Sequence, residues 1–248
     1  MFEIRTGWPR IKDSSWAIAQ ITLAATTAYA IAHFLLGHPV PLLAVTVAIA
    51  SLGLSRDTRP DRVAATALAM TLGIGLSETL LLLFGSGVLQ LLFAILLALV
   101  VARFISSNPA FALTATIQAV LVQMLQFPTG GVFARVLDGV IGGLVALLFT
   151  ALLPRNPVKL ARADAAELFV IFKQTLGDLR SVLLNADVAK ADSTLEQIRK
   201  TQPLLDHWRS SLESAVAIGK ISPFYRWARQ QISDQQVLLE GMDLATRN

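Results

Sequence analysis

Two stretches sixty-eight positions apart are nearly the same: Pro41-Leu-Leu-Ala44-Val45-Thr46-Val-Ala-Ile49 and Pro109-Ala-Phe-Ala112-Leu113-Thr114-Ala-Thr-Ile117. Each copy sits inside a group of three apolar segments, and each group ends in a segment that opens Arg-Val, at Arg62-Val63 and Arg135-Val136, and runs into glycines and alanines. Three is odd, so a second copy that follows the first across a membrane crosses it the opposite way. Inverted repeats of this kind recur in transporter folds.

The membrane itself follows from composition. Mean hydropathy is +0.59 and charged residues make up 15% of the chain, against about 25% in soluble domains. The charge is also unevenly spread. Residues 1–157 hold nine Lys/Arg and six Asp/Glu, whereas 158–248 hold twelve and eleven in little more than half the length. The chain therefore divides into a transmembrane domain, 1–157, and an α-helical domain, 158–248. The net charge of +4 does not indicate a nucleic-acid partner, because the basic residues flank apolar segments and form no single patch. With no cysteine, thiolate catalysis, disulfides and Cys-based metal sites are excluded. The first apolar run lacks a small-x-small cleavage site and is expected to be a retained span.

Apolar segments run over 16–36, 41–54, 63–84, 88–105, 109–126 and 133–153. The expectation is an all-α membrane protein with six transmembrane helices, arranged as two inverted three-helix repeats, and a cytoplasmic helical bundle after them. Segments two and five are the marginal spans. At about 14 to 18 residues they reach about 21 to 27 Å, against about 30 Å of hydrocarbon. Each begins at a proline, which suits a first helical turn, and short segments in matching positions of two halves point to a transport site.

Orientation follows from Lys and Arg. Arg5, Arg10, Lys12, Arg56, Arg59, Arg62, Arg103, Arg155, Lys159 and Arg162 all fall on one side, while the connections 38–41, 85–87 and 126–132 contain none. Both termini are expected in the cytoplasm of a multi-pass plasma-membrane protein. After Pro157 the pattern is amphipathic. Phe169, Phe172, Leu176, Leu179 and Leu183 form one stripe, and Leu195, Ile198, Leu205, Trp208, Leu212 and Val216 a second, before Ser222-Pro223 and a last helix.

Three ionisable residues lie within the predicted spans: Glu78, Arg135 and Asp138. A charge at mid-bilayer costs about 2.5 to 3.5 kcal/mol on insertion scales, so such groups face a cavity, a partner or the interface. One reading has Arg135 offering an organic anion a charge-assisted contact, with Glu78 and Asp138 setting its orientation or release. The other has Arg135 at the outer interface, clasped to Asp138. Ala65, Ala69, Gly73 and Ser77, and Gly139 and Gly143, recur every four residues and allow close helix packing. Among polar residues of the spans (Gln20, Thr26, Thr27, Tyr29, Thr114, Gln118, Gln123), Gln118 and the repeat-matched Thr46 and Thr114 are pathway candidates, with interhelical hydrogen bonding the alternative. Arg56, Arg59 and Arg62 either anchor the cytoplasmic turn or gather anions at the inner mouth of a pathway. No nucleophile elbow, phosphate loop or His-x-x-x-His pair occurs, and His33, His38 and His207 are too scattered for a ligand set, so neither enzyme, cofactor nor metal is expected.

The chain resembles the fusaric-acid-resistance-like family, also called aromatic acid exporters. The residues that carry the likeness are Pro41 to Ile49, Arg62 leading to Gly73 and Gly75, Arg135-Val-Leu-Asp138-Gly139-Val-Ile-Gly142-Gly143, and Gln202-Pro203-Leu204-Leu205-Asp206-His207-Trp208 with the later Ser222-Pro223. The resemblance implies six spans with a cytoplasmic helical domain, and efflux of aromatic or other organic acids. Plant malate channels look like distant relatives of this plan, which implies a homodimer. The rival expectation is a membrane scaffold that transports nothing, whose cytoplasmic helices dock a partner or an envelope-assembly complex.

Overall fold

The computed structural model describes residues 7–54, 59–125, 131, 133–153, 157–185, 201–221 and 229–247. Arg5, Arg56, Asp57, Arg155, Leu195, Ile198, Ser222 and Pro223, on which parts of the sequence reading rest, lie outside them. The elements are all helical among the described residues: α1 (Gly7–Ala30), a π-helical turn (Ile31–Leu35), α2 (Leu42–Leu52), α3 (Pro60–Phe84), α4 (Val88–Ile105), α5 (Pro109–Met124), α6 (Ala134–Leu152), α7 (Pro157–Asn185), α8 (Gln202–Ile221) and α9 (Arg229–Arg247). The chain forms two compact units, Met1–Arg155 and Asn156–Asn248.

Local chemistry fixes the helix ends in the first unit. Pro60 and Pro109 occupy the first turn of α3 and α5, and the Asn108 side chain accepts from the Ala110 N–H at 3.0 Å, as a helix N-cap does. Gly53 and Gly85 stop α2 and α3 at φ of 53° and 73°, a region that costs glycine nothing. Four helical stretches are long and apolar enough to cross a membrane: Ser14–Leu35, α3, α4 and α6. The 11 residues of α2 and 16 of α5 rise only about 17 and 24 Å.

Packing is inverted relative to a water-soluble core. Alanines fill the interior, at 24, 28 and 32 of the first span, 44 and 48 of α2, 94, 98 and 102 of α4, and 112, 115 and 119 of α5, all nearly inaccessible. Leu43, Val47, Met70, Ile74 and Val122 form a buried cluster beside them, while many large apolar side chains point outward, among them Leu92, Phe93 and Phe104, the last 93% exposed. Small residues inside let helices approach closely, and large ones outside suit hydrocarbon.

The pairings have a regular plan. Along α3 and α5, Gly73 lies against Ala115 and the Ser77 hydroxyl donates to the Ala119 carbonyl at 2.7 Å; both numbers increase together, so these helices run parallel. Gly142 of α6 lies against Ala44 and Val47 of α2. Between α3 and α6 the order reverses, with Glu78 at Val136, Thr71 and Ile74 at Gly139, and Ala67 at Gly143. Exchanging α1, α2 and α3 for α4, α5 and α6 maps the α2–α6 pairing onto α5–α3, α1–α2 onto α4–α5, and α1–α6 onto α4–α3. The small residues of α3 thus serve α5: Ala69, Gly73 and Ser77 are buried, whereas Ala65 is exposed.

In the second unit, α8 packs against both α7 and α9. Its core joins Ala161, Leu168, Leu205, Trp208, Leu212, Ala215, Ile232, Leu239 and Met242. The predicted α8 residues Leu205, Trp208 and Leu212 are buried there, and of the predicted α7 stripe Phe172 packs against this core and the Phe169 ring meets Trp208 edge-on, but the stripe is not the buried face. Phe169 and Leu176 are exposed, and α7 turns Ala161, Asp164, Leu168 and Thr175 inward instead. The Asp164 carboxylate accepts from the Ser211 hydroxyl at 2.8 Å, both buried, which explains an acid on the inner face. Trp208 is fully buried, with its indole N–H on Gln235 Oε1 at 3.5 Å. Trp208→Ala is expected to cost this unit about 3 to 5 kcal/mol, read as a sharp rise in proteolysis after residue 156 of the full chain while the membrane unit stays intact.

Candidate functional site

The three ionisable residues predicted within the spans, Glu78, Arg135 and Asp138, gather at the start of α6. That helix opens at Phe133, in a left-handed conformation at φ 60°, with no side-chain cap of its own. The first N–H groups of a helix need acceptors. Glu78, near the end of α3 and 2% exposed, supplies them: the Val136 N–H donates to its Oε2 at 3.2 Å and the Arg135 N–H also bonds to its carboxylate. A carboxylate there also meets the positive end of the α6 dipole, equivalent to about half a charge. Arg135 completes the arrangement. Its charge acts on Glu78, and its Nη2 donates to the Leu125 carbonyl at 3.0 Å, where α5 ends. One cation therefore closes the end of α5 while one carboxylate opens α6.

Asp138, one turn further into α6, makes a different pair from the expected clasp. Its Oδ1 lies 2.6 Å from Nδ1 of His38, and both side chains are buried. Arg135 and Asp138 share a helix face, as their spacing requires, but the carboxylate turns to the connection that precedes α2. That connection is held in turn: the His38 N–H donates to the Ala32 carbonyl at 3.1 Å, and Nδ1 of His33 donates to the His38 carbonyl at 2.8 Å. Sequence reasoning missed His38. Its partner is a hundred residues away on a helix of the other half, and no period or spacing links the two.

The remaining candidates stand apart from this cluster. Thr46 and Thr114 are half-buried, and their hydroxyls donate within their own helices, to Leu43 at 3.1 Å and Ala110 at 2.7 Å. Gln118 differs, for it is 2% exposed and its Oε1 has no hydrogen-bond partner among the described residues. Of the basic cluster, Arg59 precedes the first turn of α3 and Arg62 lies exposed within it, whereas Arg56 is outside the described residues. Gln20 donates to the Phe149 and Leu153 carbonyls at 3.2 and 3.0 Å, tying α1 to the end of α6. A groove of about 610 Å³ between α3 and α4, lined by Leu80, Phe84, Phe93 and Leu97 among others, contains none of the predicted site residues.

Comparison with known proteins bears on this arrangement. An uncharacterized protein of Corynebacterium glutamicum is 31% identical over 96% of this chain and 62% of its own length. Proteins of Mycobacterium tuberculosis and Mycobacterium bovis named "Putative arylamide transporter" are 26% identical over 88% of this chain and 63% of theirs. The chain thus spans somewhat under two thirds of the length of these relatives. No solved structure matches it. The model of the fusaric acid resistance protein-like family matches residues 15–149, which runs from the first span through the charged start of α6 almost to its end. On that match, over more than half of its length, this chain belongs to the fusaric acid resistance protein-like family.

Proposed function

We propose that this chain is the membrane unit of a plasma-membrane transporter that exports organic anions, aromatic or carboxylic, with both termini in the cytoplasm. The observation that carries the reading is the set of ionisable side chains where the two three-helix groups meet: Glu78 and His38 of one group and Asp138 of the other are buried, and Arg135 of the second group is half-buried beside them. Buried ionisable groups inside a membrane bundle are expensive and mark pathways or relays. The antiparallel course of α3 and α6, together with pairings that survive exchange of the two groups, supports an inverted repeat of six segments with α2 and α5 at its centre. On this reading Thr46, Thr114 and Gln118 line the passage, Arg135 attracts the anion, and Arg56, Arg59 and Arg62 gather it at the cytoplasmic mouth. The likeness to plant malate channels supports a homodimer. The name of the mycobacterial relatives supports transport and adds aryl amides to the candidate cargo.

Gln118 provides the test. A buried acceptor without a partner costs about 1 to 3 kcal/mol, whereas an apolar replacement of similar shape is neutral or stabilising. Gln118→Leu is therefore expected to keep or raise thermal stability in detergent while lowering flux at least tenfold. The assay is efflux from liposomes loaded with aromatic acids, dicarboxylic acids and aryl amides. Unchanged flux removes Gln118 from the passage, and folded wild-type protein that moves none of the panel rejects transport.

In that second case the scaffold reading takes over, and a specific observation favours it: Phe169, Val170, Leu176 and Leu184 leave an apolar face exposed along α7. Faces of this kind mark sites of interaction.

A further inference from the structure

The geometry points to His38 and Asp138 as a proton-binding couple that ties the two three-helix groups together and links their movement to a proton gradient. This rests on the transport reading above and names its driving ion. The imidazole and carboxylate lie 2.6 Å apart with side chains 8% and 6% exposed, a short charge-assisted contact shielded from water. They come from opposite groups, so any movement of one group against the other acts on this contact directly.

The surroundings leave this couple to carry the change in charge. From the π-helical turn comes His33, whose Nδ1 is already committed to the His38 carbonyl. From α3 comes Glu78, which feels the Asp138 charge through space, and from α6 comes Arg135, which acts on Glu78. Neither α2 nor α5 contains an ionisable residue. With His38 neutral, Nδ1–H donates to the Asp138 carboxylate and the couple carries one negative charge. The hydrogen bond fixes that tautomer and leaves Nε2 as the basic nitrogen. A proton taken from water adds to Nε2, giving an imidazolium against a carboxylate and no net charge. Separating the two groups breaks the contact, and the imidazolium, having lost its counter-charge, releases the proton.

The backbone around His38 departs from regular helix. A π-helical turn over Ile31–Leu35 ends the first span, and such turns occur frequently at functional sites. Gly37 follows at φ 70° and Pro39 comes directly after His38, so the histidine sits between a flexible residue and a rigid one.

The test uses the full chain in liposomes and 4-acetamidobenzenesulfonate, an aryl amide with a fixed negative charge that does not cross lipid unaided. Two modes are measured: exchange of labelled for unlabelled probe at equal pH, and accumulation driven by a pH gradient. For His38→Gln and Asp138→Asn the ratio of driven accumulation to exchange is expected to fall at least tenfold. His38→Arg keeps a cation against Asp138 and so guards against a folding failure, but it cannot release a proton, and the same loss is expected. A ratio equal to that of the wild type in these variants overturns the proposal, as does a monodisperse variant dead in both modes, which assigns the couple to passage of the cargo. A wild type that exchanges the probe but does not accumulate it in a pH gradient also overturns it while transport stands. Wild type inactive in both modes overturns the two readings together.

Discussion

Adding one methyl group at position 73 is expected to separate α3 from α5. A Cβ built on Gly73 would lie 1.9 Å from the carbonyl oxygen of Ala115 and 2.7 Å from its carbonyl carbon. These are backbone atoms, so no rotamer change relieves the clash; one helix must move. Overpacking typically costs about 1 to 3 kcal/mol and sometimes more, and a collision with main chain belongs at the top of that range. Moving α5 also strains the Ser77 to Ala119 hydrogen bond one turn along the same seam. For Gly73→Ala the detergent-stable, monodisperse fraction should drop at least tenfold by size-exclusion chromatography. Gly75→Ala is the control, because its Cβ would meet only Val136 Cγ2, at 3.8 Å, and it should behave as the wild type. Equal behaviour of the two variants would mean that α3 and α5 do not touch at Gly73.

The second large effect is expected at Glu78. Glu78→Ala removes the acceptor that serves the first N–H groups of α6 and strips Arg135 of its nearby counter-charge. Breaking a fully buried charged pair by deleting one partner costs about 3 to 5 kcal/mol, and with Arg135 half-buried the cost here is expected below that range. Glu78→Gln keeps a carbonyl oxygen for the helix end and loses only the charge, so it should fall between Ala and wild type. Pairing Glu78→Ala with Arg135→Ala should be milder than the sum of the single changes, since the double variant leaves no unmatched cation. Thermal unfolding of the four proteins gives the coupling. A Glu78→Ala variant as stable as the wild type would rule out the capping role, and strict additivity would rule out the pair.

Much of the membrane unit was legible because its signals are local. Pro109 marks a helix start, the apolar run that stops at 84 marks the end of α3, and the run over 88–105 marks α4. That Glu78 and Arg135 meet followed from packing the third segment on the sixth. The role of Glu78 did not, because Phe133 at the head of α6 gives no hint that the helix takes its cap from elsewhere. His38 was illegible for a related reason: a histidine in a connection carries no period, and only the tertiary fold sets it beside Asp138. On α7 the failure was one of ranking. Large residues such as Phe169 and Leu176 outline the more conspicuous stripe, but the face that packs on α8 joins Phe172 to Leu168, Ala161 and Ala165, and its alanines attract no notice in a sequence.

The alanine interior bears on how such a bundle changes shape. Alanine has no side-chain torsion, so a helix lined with methyl groups can shift along its neighbour without any rotamer having to flip. Branched or aromatic seams interlock, and their knobs must leave one set of holes before entering another. The ladder at Ala24, Ala28 and Ala32 and its counterpart at Ala94, Ala98 and Ala102 put no torsion of their own in the way of such a shift. What resists it along these seams is the fewer branched and aromatic residues packed beside them, Val145 and Phe149 at the first and Leu72 and Phe111 at the second.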